Sequence, residues 1–324
     1  MYAELHCKTN FSFLEGASHA DELVGRAMAC GYAAIAVTDR NSLSGIVRAH
    51  SAARELRKTE HRNKLKLIIG AEITLEDALP VVLWAPDRAA YGKLSRLITV
   101  GRRRAEKGQC ILYWQDLVEH AGVSAAGGLL AGVDGRLAEN QQLEQLTRYR
   151  ELFGDRAYLL THLHLGPEDN RLVQRYQELS QASDLPLLAA GDVRYHVPAR
   201  MVLHDIMAAI RNGTSVPEAP EHLLPNSQHH LRELEELQTL YRDIPDALER
   251  TMEVAERCTF ALDELRYEYP EELAPEGMTP FQFLEQLSWT GARGRYPNGV
   301  PDKVRKLISH ELKLIQEMRY EAYF

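Results

Sequence analysis

Four stretches place side chains able to bind metals, move protons or hold phosphates directly after apolar runs. The first is Glu4-Leu5-His6-Cys7-Lys8-Thr9-Asn10-Phe11-Ser12-Phe13-Leu14-Glu15-Gly16. It begins as an apolar/polar alternation suited to a short strand, then delivers His6, Lys8 and Glu15. The others are Thr38-Asp39-Arg40, Gly70-Ala71-Glu72 and Gly191-Asp192-Val193-Arg194-Tyr195-His196. Groups at a strand end and in the loop after it point into a cleft, as at the mouth of a barrel. Imidazoles and carboxylates in such a cleft suit zinc, manganese or iron, and a bound ion activates water against a phosphoester. Lysine and arginine cannot replace them as ligands, because at neutral pH they are donors without a free lone pair.

The elements that must position these groups follow from periodicity and punctuation. Strands are expected at about 2–7, 32–37, 65–75, 79–85, 128–132, 157–164 and 186–190. Helices are expected between them, with Ser18 as the N-cap of the first, Ser42 starting the second and Asp87 opening the third. The segment 134–153 reads as helical. Alternating strands and helices predict a parallel sheet, and the pattern alone leaves open whether it is a doubly wound sheet or a closed barrel. Prolines flank acidic residues at 266–276, and beyond that break the pattern is purely helical. The expected organisation is therefore one α/β domain over 1–265 and a small helical segment over 266–324.

Composition limits the function classes. Of 324 residues, 45% are hydrophobic and 26% charged, ordinary for a globular chain. No apolar run approaches the ~20 residues of a membrane span, and no leader pattern opens the chain. The cysteines Cys7, Cys30, Cys110 and Cys258 form no C-x-x-C pair, which fits a reducing cytoplasm and argues against a zinc ribbon. With a net charge of −8, the chain does not wrap DNA by bulk electrostatics, so nucleic-acid contact must be local. The strongest basic cluster is Arg102-Arg103-Arg104 with Lys107; it could touch phosphates, although cations also favour a helix C-terminus. His162 and His164 share one strand face and could bind a metal, but they read rather as a polar strand end. His196 and His204 read as structural, and His229-His230 as solvated.

The order and spacing of Ala3-Glu4-Leu5-His6, Asn10-Phe11-Ser12-Phe13-Leu14-Glu15-Gly16-Ala17-Ser18-His19, Thr38-Asp39, Leu43-Ser44-Gly45-Ile46-Val47-Arg48-Ala49-His50, Ile69-Gly70-Ala71-Glu72-Ile73 and Gly191-Asp192-Val193-Arg194-Tyr195-His196 resemble one family. It is the PHP (polymerase and histidinol phosphatase) domain at the start of bacterial C-family DNA polymerases, with the error-prone, DnaE-type branch nearest. The resemblance runs essentially end to end. It implies a distorted (β/α)7 barrel followed by the beginning of the polymerase palm. It also implies a metal cluster built on His-x-His, Thr-Asp-His and Asp-x-His motifs. In this chain these read His6-Cys7-Lys8, Thr38-Asp39-Arg40 and Asp192-Val193-Arg194. Two further ligand positions fall near Val100 and Val133. The carboxylates Glu15, Glu72 and Asp192 are kept, and Lys8, Arg40 and Arg194 stand where imidazoles would be.

The resemblance, with these departures from its ligand pattern, thus implies a metal-free cleft in which those cations face those carboxylates, with His6 and Asp39 nearby. It implies no cofactor for these residues, although the whole polymerase would need magnesium. Its partners would be the remainder of the polymerase chain, and DNA through that longer protein, with no membrane. No Asp-x-Asp pair occurs, so the carboxylates that bridge two metals in nucleotidyl transfer are not expected here. A metal-dependent phosphoesterase or exonuclease is the rival enzyme reading. A DNA-binding module using Arg102, Arg103 and Arg104 is the rival binding reading. Apolar positions past 265, such as Phe281, Phe283, Trp289, Leu314 and Phe324, are expected to lack partners.

Overall fold

The computed structural model describes residues 1–59, 65–121, 128–136, 142–265 and 274–323. These divide into two compact units, 1–264 and 265–324. In the first, the elements run β1 (Ala3–Cys7), α1 (Ala20–Ala29), β2 (Ala34–Val37), α2 (Ile46–Thr59), β3 (Lys66–Ile73), β4 (Val81–Trp84), α3 (Arg88–Arg104) and α4 (Trp114–Ala121). They continue with β5 (Leu130–Asp134), α5 (Gln142–Phe153), β6 (Ala157–Thr161), α6 (Asp169–Ser183), β7 (Leu187–Ala189), α7 (Met201–Arg211), α8 (Leu234–Leu240) and α9 (Pro245–Arg257).

The seven strands lie in one sheet in chain order. It closes toward a barrel where the segment after β7 meets β1, with Lys8 N donating to Val193 O at 2.9 Å and Val193 N to His6 O at 2.8 Å. The fold is the expected distorted (β/α)7 barrel, but the sheet is not wholly parallel. β4 runs antiparallel to both β3 and β5. The link between β3 and β4 spans only residues 74–80, too short for the crossover that a parallel pair needs.

The barrel interior is filled by side chains of unequal size. Ala3, Ala34, Ala36 and Ala190 leave room for Trp84 and Tyr158, with Leu5, Ile68, Leu130, Leu160 and Leu188 between them. Trp84 satisfies its indole N–H on Leu5 O at 2.9 Å, as a buried indole must. α9 belongs to this core through Val254, Ala255 and Cys258. Ala3 N donates to Thr251 Oγ1 at 3.2 Å and Lys66 Nζ to Ala255 O at 2.5 Å. α9 thereby closes the end at which β1 and β3 begin, leaving the opposite end for strand-end side chains. Two further apolar clusters pack the outer helices on the sheet.

Helix starts follow capping chemistry with one correction. Asp87 accepts from Ala90 N as the cap of α3. The cap of α1 is His19 rather than Ser18, because the Ser18 hydroxyl is engaged 2.7 Å from His196 Nδ1. Asp134 is not helical as expected: it ends β5, and helix resumes at Gln142, with 137–141 outside the described residues.

In the second unit, α10 (Pro280–Arg295) starts at a Thr279/Gln282 capping box and α11 (Asp302–Met318) follows. Among its described residues only Ala292 and Leu312 are buried apolar groups, while Leu287, Leu307, Leu314 and Met318 are exposed. Phe281, Phe283 and Trp289 are half-buried, and Phe324 lies outside the described residues.

Candidate functional site

The open end of the barrel collects the predicted groups. β1 and its continuation carry His6 and Lys8, β3 carries Glu72, and the segment after β7 carries Asp192 and Arg194. Glu15 arrives on the loop after β1, which folds on itself through Ser12 N to Thr9 O and Glu15 N to Ser12 O, both 2.9 Å. Gly16 makes that turn possible, since a Cβ there would stand 2.0 Å from Thr9 O. Asp39 holds the loop from below. It accepts from Thr9 N (2.8 Å), Thr9 Oγ1 (2.8 Å) and Ser12 Oγ (2.7 Å). Burial raises its pKa, and those donors oppose the shift. Asp39 is therefore an organiser of the loop rather than a member of the ion-pair network.

Lys8 is fully buried, with Nζ 2.7 Å from Glu72 Oε2, 3.6 Å from Glu15 Oε2 and 4.0 Å from Asp192 Oδ1. Arg40 Nη1 contacts Glu15 Oε1, and its Nε lies 3.4 Å from Glu72 Oε1. Arg194 Nη2 donates to Asp192 Oδ2 at 3.1 Å and Nη1 to Glu15 Oε2 at 3.5 Å. Its Nε is also 3.1 Å from Asp192 Oδ1, but neither atom has a hydrogen-bond partner, so this approach is charge contact without alignment. His6 Nε2 sits 2.8 Å from Glu72 Oε2. Burial would raise the Glu72 pKa, but Lys8 and His6 hold it well below the usual carboxylate range. At Asp192 burial is likewise outweighed, by Arg194, Arg136 and Lys8.

Four residues of this site were not among the predicted ones. Arg136 bridges Asp134 (2.7 Å) and Asp192 (3.0 Å) through Nη2. His162 Nε2 is 3.1 Å from His6 Nδ1, and His162 Nδ1 is 3.4 Å from Asp134 Oδ1. Arg211, at the end of α7, reaches Glu15 Oε1 at 3.7 Å. The signal for two of them was present. Asp134 and His162 each follow an apolar run, as Glu72 and Asp192 do.

The histidine expectations need correction. His162 does follow the end of β6 but is buried in the cleft, and His229 and His230 are buried rather than solvated. His229 stacks on His164 with centroids 3.7 Å apart and is 2.9 Å from Asp192 O through Nδ1. Burial pushes His162 and His229 down to about 4 and His164 to about 2, with neighbouring arginines adding to the effect. These rings are neutral at physiological pH.

Two of the three clustered arginines on α3 are engaged inside the chain. Arg104 forks onto Asp116 at 2.5 and 2.7 Å, and Arg102 donates to Asn41 O at 2.9 Å and Gly108 O at 3.1 Å. Arg103 is exposed.

His6, Glu72 and Asp192 offer ligand atoms within 4.8 Å of one another, a spacing that a divalent ion could use. The groups around them do not fit such an ion. Glu72 Oε2, the oxygen it would need, already contacts Lys8 Nζ at 2.7 Å and His6 Nε2 at 2.8 Å. Arg194 Nε crowds the free oxygen of Asp192. A divalent ion about 2 Å from those oxygens would share them with two fixed cations.

Residues 4–161 match the PHP domain family, and residues 282–324 match the family described as the bacterial DNA polymerase III alpha NTPase domain. Over its whole length the chain is 52% identical to an error-prone DNA polymerase of Rhodopirellula baltica and 46% identical to one of Dechloromonas aromatica. It spans 28% and 30% of those two proteins, under a third of their length. Among solved structures, an amidohydrolase from Chromobacterium violaceum is similar at 14% identity and a TM-score of 0.44, over 60% of this chain and 88% of that one.

Proposed function

We propose, for a chain that carries a PHP domain and is similar throughout its length to error-prone DNA polymerases, that it forms the amino-terminal scaffold of such a polymerase. Residues 266–324 begin the polymerase palm. The longer polypeptide carries out DNA-templated nucleotidyl transfer with magnesium during repair and translesion synthesis in the cytoplasm. The barrel unit supplies no catalysis of its own. Its cleft is metal-free and closed by ion pairs, so that it holds its shape and supports the polymerase module.

The observation that carries this reading is Lys8, whose buried ammonium lies within 4.0 Å of Glu15, Glu72 and Asp192 at once. An amine there neutralises the carboxylates that a metal would otherwise bind, and it can neither polarise a phosphoester as a metal does nor activate water. The competing reading, a metal-dependent phosphoesterase or exonuclease, draws on the convergence of His6, Glu72 and Asp192.

Metal analysis of the purified chain, with phosphoesterase and primer-extension assays, separates the two. The scaffold reading expects substoichiometric zinc, manganese and iron, no chelator effect on melting temperature, and neither activity. Stoichiometric metal with chelator-sensitive hydrolysis overturns it.

A further inference from the structure

Helix α7 reads Met-Val-Leu-His-Asp-Ile-Met-Ala-Ala-Ile-Arg, with polar side chains only at His204, Asp205 and Arg211. A helix that is apolar nearly all round is normally a buried one. Here the side turned to the barrel carries His204, Ala208 and Ala209, which are the buried positions. The large apolar groups face outward. Val202, Ile206 and Ile210, spaced four apart on one stripe, are 68%, 45% and 60% exposed, and Leu203 beside them is 39% exposed. Packing on the barrel accounts for the inner face of α7 and leaves its more apolar face in water.

A second element extends this face. The loop after β1 presents Phe13, 81% exposed, next to Leu14, whose φ is 59°. A left-handed backbone is uncommon for leucine, so the loop must be held in place by its surroundings. Phe13, Leu14, Leu203 and Met207 line a groove of about 350 Å³, rimmed by His19 and Arg200. The loop and the helix are tied together by Arg211, the last residue of α7. It donates through Nη1 to Leu14 O at 3.4 Å and lies 3.7 Å from Glu15 Oε1. Glu15 is held in turn by Lys8, Arg40 and Arg194. The ion pairs of the cleft therefore fix the Phe13 loop against α7 and set the shape of the groove. A contiguous exposed apolar face of this kind marks an interaction surface.

We propose that the outer face of α7 and Phe13 dock the polypeptide that follows residue 324 in the longer polymerases, and that Arg211 is the residue that positions the Phe13 loop for it. An apolar helix face of that segment lies along Val202, Ile206 and Ile210, ridge into groove, with one large apolar side chain in the groove beside Phe13. This rests on the reading of the chain as the amino-terminal part of a polymerase. The relatives that it matches have more than two thirds of their length outside it, since it spans 28% and 30% of them. A segment tethered to the same chain meets the face at an effective concentration that a separate protein does not reach.

Thiol labelling tests the docking face. Val202→Cys is introduced into the 324-residue chain and into the longer polymerase, and maleimide labelling of the new thiol is followed by mass spectrometry, which separates it from the native cysteines. The expected result is labelling at least an order of magnitude slower in the longer polymerase than in the 324-residue chain, at protein concentrations where light scattering finds both monomeric. Adding Arg211→Gln to the longer polymerase should restore much of the labelling rate, while the same change leaves the melting temperature of the 324-residue chain nearly unchanged. Equal labelling in the two chains, in a longer protein that still extends primers, overturns the docking face and leaves the scaffold reading standing. A longer protein without primer extension overturns the polymerase reading itself. Protection that appears in the 324-residue chain as its concentration rises assigns the face to a second copy and overturns the proposal. An Arg211→Gln polymerase labelled no faster than its parent overturns the positioning role of Arg211.

Discussion

Replacing Lys8 with methionine isolates the charge that closes the cleft. Methionine keeps most of the apolar stem and removes the ammonium, so packing changes little. Glu72 then stays buried with its nearest cation gone, keeping His6 at 2.8 Å, the half-exposed Arg40 at 3.4 Å and the more distant charge of Arg194. Breaking a buried pair by removing one partner costs about 3–5 kcal/mol. With His6 and Arg40 still in place, the lower end of that range is expected, ~3 kcal/mol. At about 2–4 °C per kcal/mol for a chain of this size class, the melting temperature falls by roughly 6–12 °C.

The pH dependence has a definite sign. In the parent chain Glu72 is held below its ordinary pKa. The stability it contributes is fully present above the unfolded value near ~4.3 and is lost only as pH falls through the lower folded value. In Lys8→Met burial dominates and the folded pKa rises, so acidification protonates Glu72 and removes the penalty. The gap between parent and variant therefore narrows below about pH 5. Adding Glu72→Gln to Lys8→Met should recover most of the loss, because the unpaired charge is gone. Urea unfolding at pH 7 and pH 4.5 measures all three chains. A Lys8→Met cost under about 1 kcal/mol, or no recovery in the double variant, would refute the reasoning.

Other perturbations read different parts of the same network. Arg194→Ala should cost about 3–5 kcal/mol in urea unfolding, since Asp192 is buried. Arg40→Ala should cost only about 1 kcal/mol, because its side chain is 43% exposed and its pairs are screened; equal effects would contradict the depth ordering. Gly16→Ala should destabilise by more than about 2 kcal/mol, because its methyl would meet the Thr9 carbonyl at 2.0 Å; an unchanged unfolding midpoint would mean that the loop is not held as described. Folded-state values near 4 for His162 and His229 put their stabilising neutrality fully in place above the unfolded pKa of ~6.5 and remove it as pH falls toward 4, by up to ~1.4 kcal/mol per pH unit for each histidine. Unfolding free energies that stay flat between pH 7 and pH 4.5 would contradict this.

Most strands were legible from apolar runs, because a barrel strand is buried on both faces and reads as a continuous run. The direction of β4 was not read, since Leu79–Ala85 looks the same in either direction and only the length of its link to β3 decides. The retained carboxylates and substituted cations were legible because strand ends carry them in a recognisable order. Arg211 could not be found this way. It lies at the end of a helix, and only the folding of α7 beside the Glu15 loop brings it to the cleft. His229 looked solvated among prolines and polar residues, yet its ring fills the space over His164. A turn-rich composition reports backbone conformation and not whether the segment lies over an opening that needs to be covered.

That distinction also explains why the cleft takes imidazoles and guanidiniums together. A divalent ion draws several carboxylates to one point, whereas each side-chain cation must be anchored at its own Cα. Lys8 enters from β1, Arg40 from the end of β2, Arg136 from the end of β5 and Arg194 from beyond β7, so the positive charge is spread around the rim. Glu15, Glu72 and Asp192 each meet cations from at least two directions, and the network ties together segments far apart in the chain. Such a network does not depend on metal supply, but its outermost cations are left only partly satisfied. Stability comes from the buried members, Lys8 with Glu72 and Arg194 with Asp192. The exposed members, Arg40 and Arg211, are screened by solvent and contribute less, so the two layers should be separable by mutation: loss of a buried pair lowers the melting temperature by several degrees, while loss of Arg211 leaves it nearly unchanged.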